Sequence, residues 1–505
     1  MSNLIHLNEK DNVAMASVSL EKGTKIKTHD LVCNTVIPAG HKVAIYDIPK
    51  EDPIYKYGDI IGYALEHIKK GDHVHSHNLY LKKASCEHSC ESPHDHFPLK
   101  TKSERSFFKG YIRPGGKIGT RNYIGILSTV NCSASICHFI ADGANKAFKE
   151  KYPSIDGFVG LGHGAGCCMT IGGEGLTILQ KTMAGFIRNP NFGGILVVGL
   201  GCEVNRISDF FNAMSLNEGS LLKTLDIQDS GGTENTVIKA MTLIQEMIPP
   251  VAAAKREPVS AANLILGLEC GGSDAYSGIT ANPSLGAAAD LLVQDGGTVI
   301  LSETPEIYGA EHLLIRRAVN CRVADKLIEK IKWWEAYTEK NGAQINNNPT
   351  PGNKDGGIST ILEKSLGAVA KGGNTPLQEV YSYAEPVLSK GMVFMDTPGY
   401  DIVSITGMIA GGANMIGFTS GRGTVVGFKP VPCLKLASNT HMYDRMKGDM
   451  DINCGPVLDA GVSVKDMGLS IYKTILETAS GSKSKSEIFG YGDHEFVPWH
   501  IGAVL

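Results

Sequence analysis

The chain has 505 residues, 42% of them hydrophobic and 20% charged, and its 48 basic against 52 acidic side chains leave a net charge of -4. That length suggests roughly two to four domains with ample core, and no basic excess of the kind a dedicated nucleic-acid binder needs is present. The opening MSNLIHLNEKDN lacks a basic segment followed by a long apolar core, so neither a secretory signal nor a transit peptide is expected and the cytoplasm is the expected compartment.

Residues 1–83 read as a small β-rich module. Short apolar runs (VAMASVSL, KVAIYDI, IIGYAL) alternate with turn signals such as EKGT, PAGHK, KYGD and KKGD. The module ends in HVHSHN, where period-two geometry predicts His73, His75 and His77 on one face of an extended strand. Imidazoles so spaced can bind a divalent metal together, with His41 as a further partner. Residues 84–108 read as a polar linker, in which Cys86, His88, Cys90, His94 and His96 could clip a zinc ion, although the spacing is not that of a standard zinc finger.

From residue 109 to 253 the pattern becomes α/β. NYIGILSTV ends at Asn131-Cys132, DGFVGLGHGAG at Cys167-Cys168 and GGILVVGLG at Cys202-Glu203, with amphipathic segments such as Ser135 to Glu150 between them. Three strand-like runs thus each deliver a cysteine at the carboxyl end, where open parallel sheets bind ligands. The twelve cysteines lack staple-like spacings and are read as reduced thiols.

PPVAAAKREPVS then resembles an interdomain joint, and a C-terminal α/β region is expected over 258–505. Its first strand-like run opens LILGLECGGSDAYSGITANPSLGAAAD, where Cys270 repeats the strand-end cysteine and Gly271-Gly272 allow close approach to a ligand. Ser273 and Asp274 add a hydroxyl and a carboxylate, and Asn282-Pro283 punctuates a second loop before the helical LGAAADLLVQ. If the strand ends converge, Cys132, Cys167, Cys202 and Cys270 could hold iron or an iron-sulfur cluster; the alternative is cysteine filling tight corners as a small hydrophobe.

Farther on, Glu303 and Glu306 follow an apolar strand, a helical pattern runs from about Val323 to Glu339, and residues 346–357 form a rigid loop bearing Lys354. Ile402 to Ser420 is uncharged and long, but its glycines and hydroxyls point to a buried segment rather than a membrane span. Arg422 follows it between glycines, and Lys354 with Arg422 would suit a carboxylate. No complete P-loop or GxGxxG between strand and helix is present, which argues against an NTPase or a classical dehydrogenase.

These runs also resemble a known family. DNVA, AGHKVAIYDI, YGDIIGYAL and GDHVHSHNL are similar to the SAF (β-clip) domain at the front of altronate and galactarate dehydratases. GGKIGTRN, NPNFGGILVVGLGCE, CGGSDAYSGITANPSLG, NPTPGNKDGG, LEKSLG and TSGRGT are similar to the two domains that follow, and HVHSHN looks closer to the altronate dehydratase and sulfolactate sulfo-lyase pattern.

The resemblance implies a multidomain α/β protein, with an all-β SAF module ahead of two α/β domains with largely parallel sheets. It implies a metal-dependent hydro-lyase of sugar-acid catabolism, taking D-altronate to 2-keto-3-deoxy-D-gluconate. A galactarate dehydratase, another aldonate or aldarate dehydratase, or a sulfo-lyase are the alternatives within the family, and a non-catalytic sugar-acid sensor is the alternative outside enzymes. The expected cofactor is a divalent metal, Fe(2+) or else Mn(2+), with an iron-sulfur cluster as a rival. His75 and His77 are the metal ligands expected first, with the four strand-end cysteines as the rival set. Arg121, Ser273, Asn282, Lys354 and Arg422 are expected to bind substrate, and His163, Asp274 and Glu303 to move protons. The expected partner is a small sugar acid and a second copy of the chain, with neither nucleic acid nor membrane.

Overall fold

The computed structural model describes residues 3–82 and 97–502. The cysteines and histidines from Cys86 to His96 lie outside the described residues. The N-terminal module is built of short antiparallel strands, as its turn spacing predicts. Leu4–Ile5, Val13–Ala16, Lys42–Ala44 and His73–Val74 form one sheet in that order, and Pro53–Lys56, Asp59–Ala64 and Leu79–Tyr80 form another. The strand carrying the histidines stops at Val74, so His75 and His77 lie in a turn rather than along one extended face.

The first α/β sheet consists of β1 (Tyr123–Ser128), β2 (Gly157–Leu161), β3 (Phe192–Gly199) and β4 (Leu222–Asp226). Helix α1 (Asn131–Phe148) joins β1 to β2, α2 (Glu174–Ile187) joins β2 to β3, and α3 (Thr233–Ala252) follows β4. All pairs are parallel in the order β2-β1-β3-β4. β1, β2 and β3 are buried throughout, which is why they read as continuous apolar runs rather than alternating ones.

A seven-stranded parallel sheet follows, in the order β7-β8-β6-β5-β9-β10-β11. Its elements are β5 (Ile265–Cys270), α4 (Ala281–Gln294), β6 (Thr298–Leu301), α5 (Ile361–Val369), β7 (Leu377–Tyr381) and β8 (Gly391–Met395). Helix α6 (Asp401–Gly411), β9 (Met415–Ser420), β10 (Cys433–Ala437) and β11 (Ile452–Asn453) complete it. The uncharged stretch from Ile402 to Ser420 is thus a buried helix, turn and strand, and no described helix is long and apolar enough to cross a membrane.

Three local readings change. Asn282-Pro283 lies in the first turn of α4, where proline's missing N–H costs nothing, rather than in a loop. The loop around Lys354 contains a one-turn helix, Pro351–Asp355, started by a reciprocal Thr350–Asn353 capping box. The joint after Pro249 is structured: both prolines sit inside α3, and Arg256–Ser260 pairs antiparallel with Phe107–Ile112. Among the described cysteines, Cys33, Cys137, Cys270, Cys433 and Cys454 are buried free thiols and Cys132, Cys167, Cys168 and Cys202 exposed ones, whereas Cys321 is disulfide-bonded.

The parts share hydrophobic cores. Module residues Val13, Ala44, Ile61 and Leu79 pack in one cluster with Leu266 and Leu268 of β5 and with α4. On the other face, Ile300, Val393 and Ile416 cluster with Met183 and Phe186 of α2, and Gly185 meets Ala410 of α6.

A buried charge triad fixes the module. Lys42 and Lys56 both donate to the Glu363 carboxylate of α5, at 2.8 and 2.7 Å, with all three side chains at 3% exposure or less. Ser359 adds donations from its N–H and its hydroxyl, at 2.8 and 2.7 Å. Burial alone would raise the Glu363 carboxyl, but the two ammonium groups outweigh it and hold it well below the usual range. Because the folded state thus favours the carboxylate, its contribution is complete above the ordinary glutamate range and is lost as pH falls through and below it. Glu363→Gln should therefore destabilise the protein by about 3–5 kcal/mol at pH 7 by stranding two buried cations. Denaturant midpoints compared at pH 7 and pH 3.5 should show the difference shrinking at the lower pH.

Candidate active site at the carboxyl edge of the central sheet

In the seven-stranded sheet the chain leaves β5 through α4 to β6 on one side, then returns through α6 to β9 on the other. The strand order therefore reverses around β5, and open parallel sheets bind ligands in the crevice at such a point. Glu269 and Cys270 end β5, Glu303 and Glu306 follow β6, and Asp401 opens α6. Glu303 adopts a left-handed backbone conformation (φ 69°), which costs a non-glycine residue energy and recurs at ligand sites.

Two sets of donor atoms, Cys270-Glu303-Glu306 and Glu269-Glu303-Asp401, each lie within 4.8 Å of one another. Lys371 donates to Cys270 Sγ at 2.8 Å and to Glu303 at 3.3 Å, and Lys364 donates to Glu306 at 2.5 Å. Burial pushes the Cys270 thiol up despite Lys371, so it remains a thiol and donates to Glu306 at 3.2 Å. Burial, and then the Glu303 charge, push Glu269 well above the carboxylate range. Burial with Glu303 and Glu306 lifts Asp401 to about 7. Oε1 of Glu269 and Oε1 of Glu303 are buried without a hydrogen-bond partner.

These oxygens test the fit of a divalent metal. Hard cations take carboxylate oxygens, and a cation beside Glu269, Glu303 and Asp401 would relieve both the mutual repulsion and the unpartnered atoms. The Cys270 side fits less well, because Lys371 already supplies the positive charge there.

Beside this edge, Gly272 O accepts from the N–H groups of Gly421 and Arg422, so the glycine loop and the Arg422 loop are stitched together. A Cβ on Gly271 would collide with the Asp401 carboxylate, so only glycine permits this approach. Ser273 Oγ is buried without a partner. Asp274 accepts from Ser277 N–H and Oγ, from Ser438 Oγ and from Asn439 Nδ2, while burial pushes its carboxyl up. Ser273, Asp274 and Asn282 line a small cavity of about 10 Å³, enough for one water, with Tyr57 of the module, Glu363 and Lys364. Arg422 is exposed at the rim.

The histidines do gather, although by a turn. His41 lies 5.1 and 4.9 Å from the rings of His73 and His75, and His73 lies 5.2 Å from His77. Their nitrogens are largely engaged. His75 Nε2–H donates to the Lys354 carbonyl at 3.1 Å with Nδ1 on Ser76 Oγ, and His41 Nε2–H donates to the Asp355 carbonyl at 3.2 Å. Burial and neighbouring charges push His73 down to about 3 and His75 down to about 4. His41 and His75 therefore dock the module onto the helix of Lys354.

Two residues expected in the site have their polar atoms engaged elsewhere. Arg121 spends all five donors on Glu487 and on the carbonyls of Thr120, Thr478 and Ser482, so none remains for a substrate. His163 is buried with Nε2–H on the Ser128 carbonyl and Nδ1 accepting from Ala165 N–H. Burial pushes it down to about 4, which leaves no nitrogen free to shuttle protons. The four strand-end cysteines do not form one set either: Cys270 is buried on the seven-stranded sheet, whereas Cys132, Cys167 and Cys202 are exposed on the other. Lys364, Lys371 and Asp401 were not singled out by sequence, since nothing local distinguishes them from other helix charges.

Comparison with known proteins agrees with this architecture. Residues 2–82 match the altronate/galactarate dehydratase SAF domain, 110–252 the D-galactarate dehydratase/altronate hydrolase second domain, and 261–504 the D-galactarate/altronate dehydratase C-terminal domain. The chain is 34% identical to altronate dehydratase of Bacillus subtilis, over 95% of this chain and 96% of the relative. It is 35% identical to galactarate dehydratase (L-threo-forming) of Escherichia coli, over 95% and 93%, and 32% identical to the altronate dehydratase of that organism, over 96% of each.

The raised Asp401 carboxyl has a definite sign. A folded value near 7 against an unfolded one near 3.8 means the folded state holds the proton more tightly, so stability falls as pH rises across that interval. In chelator-treated protein, Asp401→Asn should match the parent near pH 4 and exceed it by on the order of 2 kcal/mol at pH 8. Equal denaturant midpoints at both pH values would remove the electrostatic account of this edge.

Proposed function

Since the chain belongs to the galactarate/altronate dehydratase family and is a hydro-lyase of sugar acids, we propose that its substrate is an aldonate, D-altronate, converted to 2-keto-3-deoxy-D-gluconate. The observation that carries this reading is the convergence of Glu269, Glu303 and Asp401 at the carboxyl edge of the sheet, with unpartnered oxygens on Glu269 and Glu303, beside the glycine loop of Ser273 that is bonded to the Arg422 loop. A sensor would not need so many strained and buried charges.

The reaction removes the proton on C2 and the hydroxyl on C3, and the resulting enol takes up a proton at C3 to give the 2-keto-3-deoxy acid. Arg422 and Lys354 hold the substrate carboxylate, Arg422 through paired donors. Ser273 Oγ orients a hydroxyl. Asp274, its carboxyl pushed up by burial and its Oδ1 fixed by Ser277 and Ser438, takes the C2 proton at Oδ2, which accepts only from Asn439. Glu269, Glu303 and Asp401 would hold a divalent ion, ferrous or manganous, which when bound would stabilise negative charge on the substrate carboxylate and assist the leaving hydroxyl. Glu303 thereby passes from proton transfer to metal ligation, and His75 to docking.

An anaerobic screen of aldonates and aldarates with ferrous ion tests the reading, with 2-keto-3-deoxy acid as the readout. Turnover is expected with altronate, and turnover with galactarate alone would shift the assignment to the other branch of the family. Asp274→Asn should lower kcat by about 10²–10⁴-fold, while Arg422→Ala should mainly raise KM. No product from any sugar acid would sink the proposal.

A further inference from the structure

The second sheet carries a site of different chemistry. In it the chain winds from β1 through α1 to β2 on one side and returns through α2 to β3 on the other, so β1 marks a second reversal of strand order. The residues following these three adjacent strands bring Cys132, Cys167 and Cys202 to one carboxyl edge. All three are exposed, although cysteine is among the most consistently buried residue types.

The loops bearing them are fastened to one another. Asn131 N–H donates to the Ala165 carbonyl at 2.9 Å, and Asn205 N–H to the Gly166 carbonyl at 3.0 Å. Thr129 Oγ1 donates to Glu203 Oε1 at 2.5 Å, and Asn205 Nδ2 to the Thr129 carbonyl at 3.0 Å. Gly166, at φ 104°, lies so close to Thr129 that a Cβ there would strike its carbonyl oxygen. Cys168 is forced into the left-handed region (φ 53°) directly after Cys167. His163 pins the Cys167 loop to β1 through Nε2–H on the Ser128 carbonyl, while its Nδ1 accepts from Ala165 N–H within the loop. Finally, Gln228 Nε2 donates to Cys202 Sγ at 3.3 Å, the kind of hydrogen bond that tunes a ligating sulfur.

We infer that Cys132, Cys167 and Cys202 are the protein ligands of an iron-sulfur cluster that leaves one iron without a protein ligand. Two observations choose a cluster over a single ion. Tetrahedral thiolates around one zinc, at about 2.3 Å from the metal, stand about 3.8 Å apart. Among the described residues, the only triads of ligand atoms within 4.8 Å of one another are the two at the Glu303 edge, so the three thiols stand wider. Soft thiolate sets select zinc, copper(I) or iron-sulfur centres, and of these a cluster spans the wider separation. Cys270 is not a ligand, because it is buried against Lys371 and Glu306.

This inference does not rest on the dehydratase reading, and its test is spectroscopic. The full chain is reconstituted anaerobically with ferrous ion and sulfide. Broad visible absorption is expected, with an electron paramagnetic resonance signal on reduction and about four irons with matching acid-labile sulfide per chain. Cys132→Ser, Cys167→Ser and Cys202→Ser should each lose most of it, whereas Cys168→Ser should keep it. Should a variant fail to fold, alkylation of the parent decides: the three thiols become protected on reconstitution while Cys168 stays reactive. A colourless protein, one zinc or iron without labile sulfide, or a full signal in the folded serine variants would overturn the inference. Sugar-acid turnover is measured separately, so the failure of one reading does not mask that of the other.

Discussion

A carboxylate with no water around it survives only if charge is brought to it, and Glu363 obtains that charge from another part of the chain. Lys42 and Lys56 reach it from the N-terminal module, so the module cannot lift away without exposing two cations and an anion that the fold has desolvated together. Much else is set by this contact. The next residue on α5, Lys364, neutralises Glu306 at the sheet edge, and the segment before it carries Lys354 and Asp355, whose carbonyls receive His75 and His41. One helix turn thus faces the docking surface with an anion and the sheet edge with a cation, which couples module position to the charge state of the crevice.

That charge state is unbalanced as it stands. Two lysines, Lys364 and Lys371, meet Glu269, Glu303, Glu306 and Asp401, with Cys270 retained as a thiol. The lysines hold Glu306 low against the effect of burial, and the excess appears as protons retained on Glu269 and Asp401. A group that keeps a proton at neutral pH in a buried crevice is one whose proton a bound cation would displace.

The sequence exposes the architecture more readily than the site. Period-two runs and turns define the module, and continuous apolar runs ending in cysteine or Glu269-Cys270 define the parallel strands, because burial on both faces removes alternation. The folded core of Ile402 to Ser420 was legible from its glycines. What local pattern cannot convey is how many donors a buried side chain has already committed. Arg121 and His163 look like active-site residues by type, yet backbone carbonyls far away in sequence consume them. Conversely, Lys371 and Asp401 look like ordinary helix charges until tertiary packing brings them to Cys270 and Glu303. The histidine cluster was anticipated from the wrong geometry: rings expected on one strand face instead converge through a turn and a contact with His41.

Both parallel sheets wind outward from a first strand and then reverse across it, so the chain builds the same kind of crevice twice. The two differ in what lines them. At β5 the donors are buried carboxylates tied to lysines, hard ligands in a closed setting that favours a small divalent cation. At β1 they are exposed thiols on mutually fastened loops, soft ligands for which a lone hard cation is a poor match. Winding alone therefore cannot specify chemistry, as the same topology presents both edges. The distinction arises from the residues that end each strand or follow it within six positions, and from whether a neighbouring domain closes over them: the module and α5 cover the first edge, while the thiols of the second remain open to solvent.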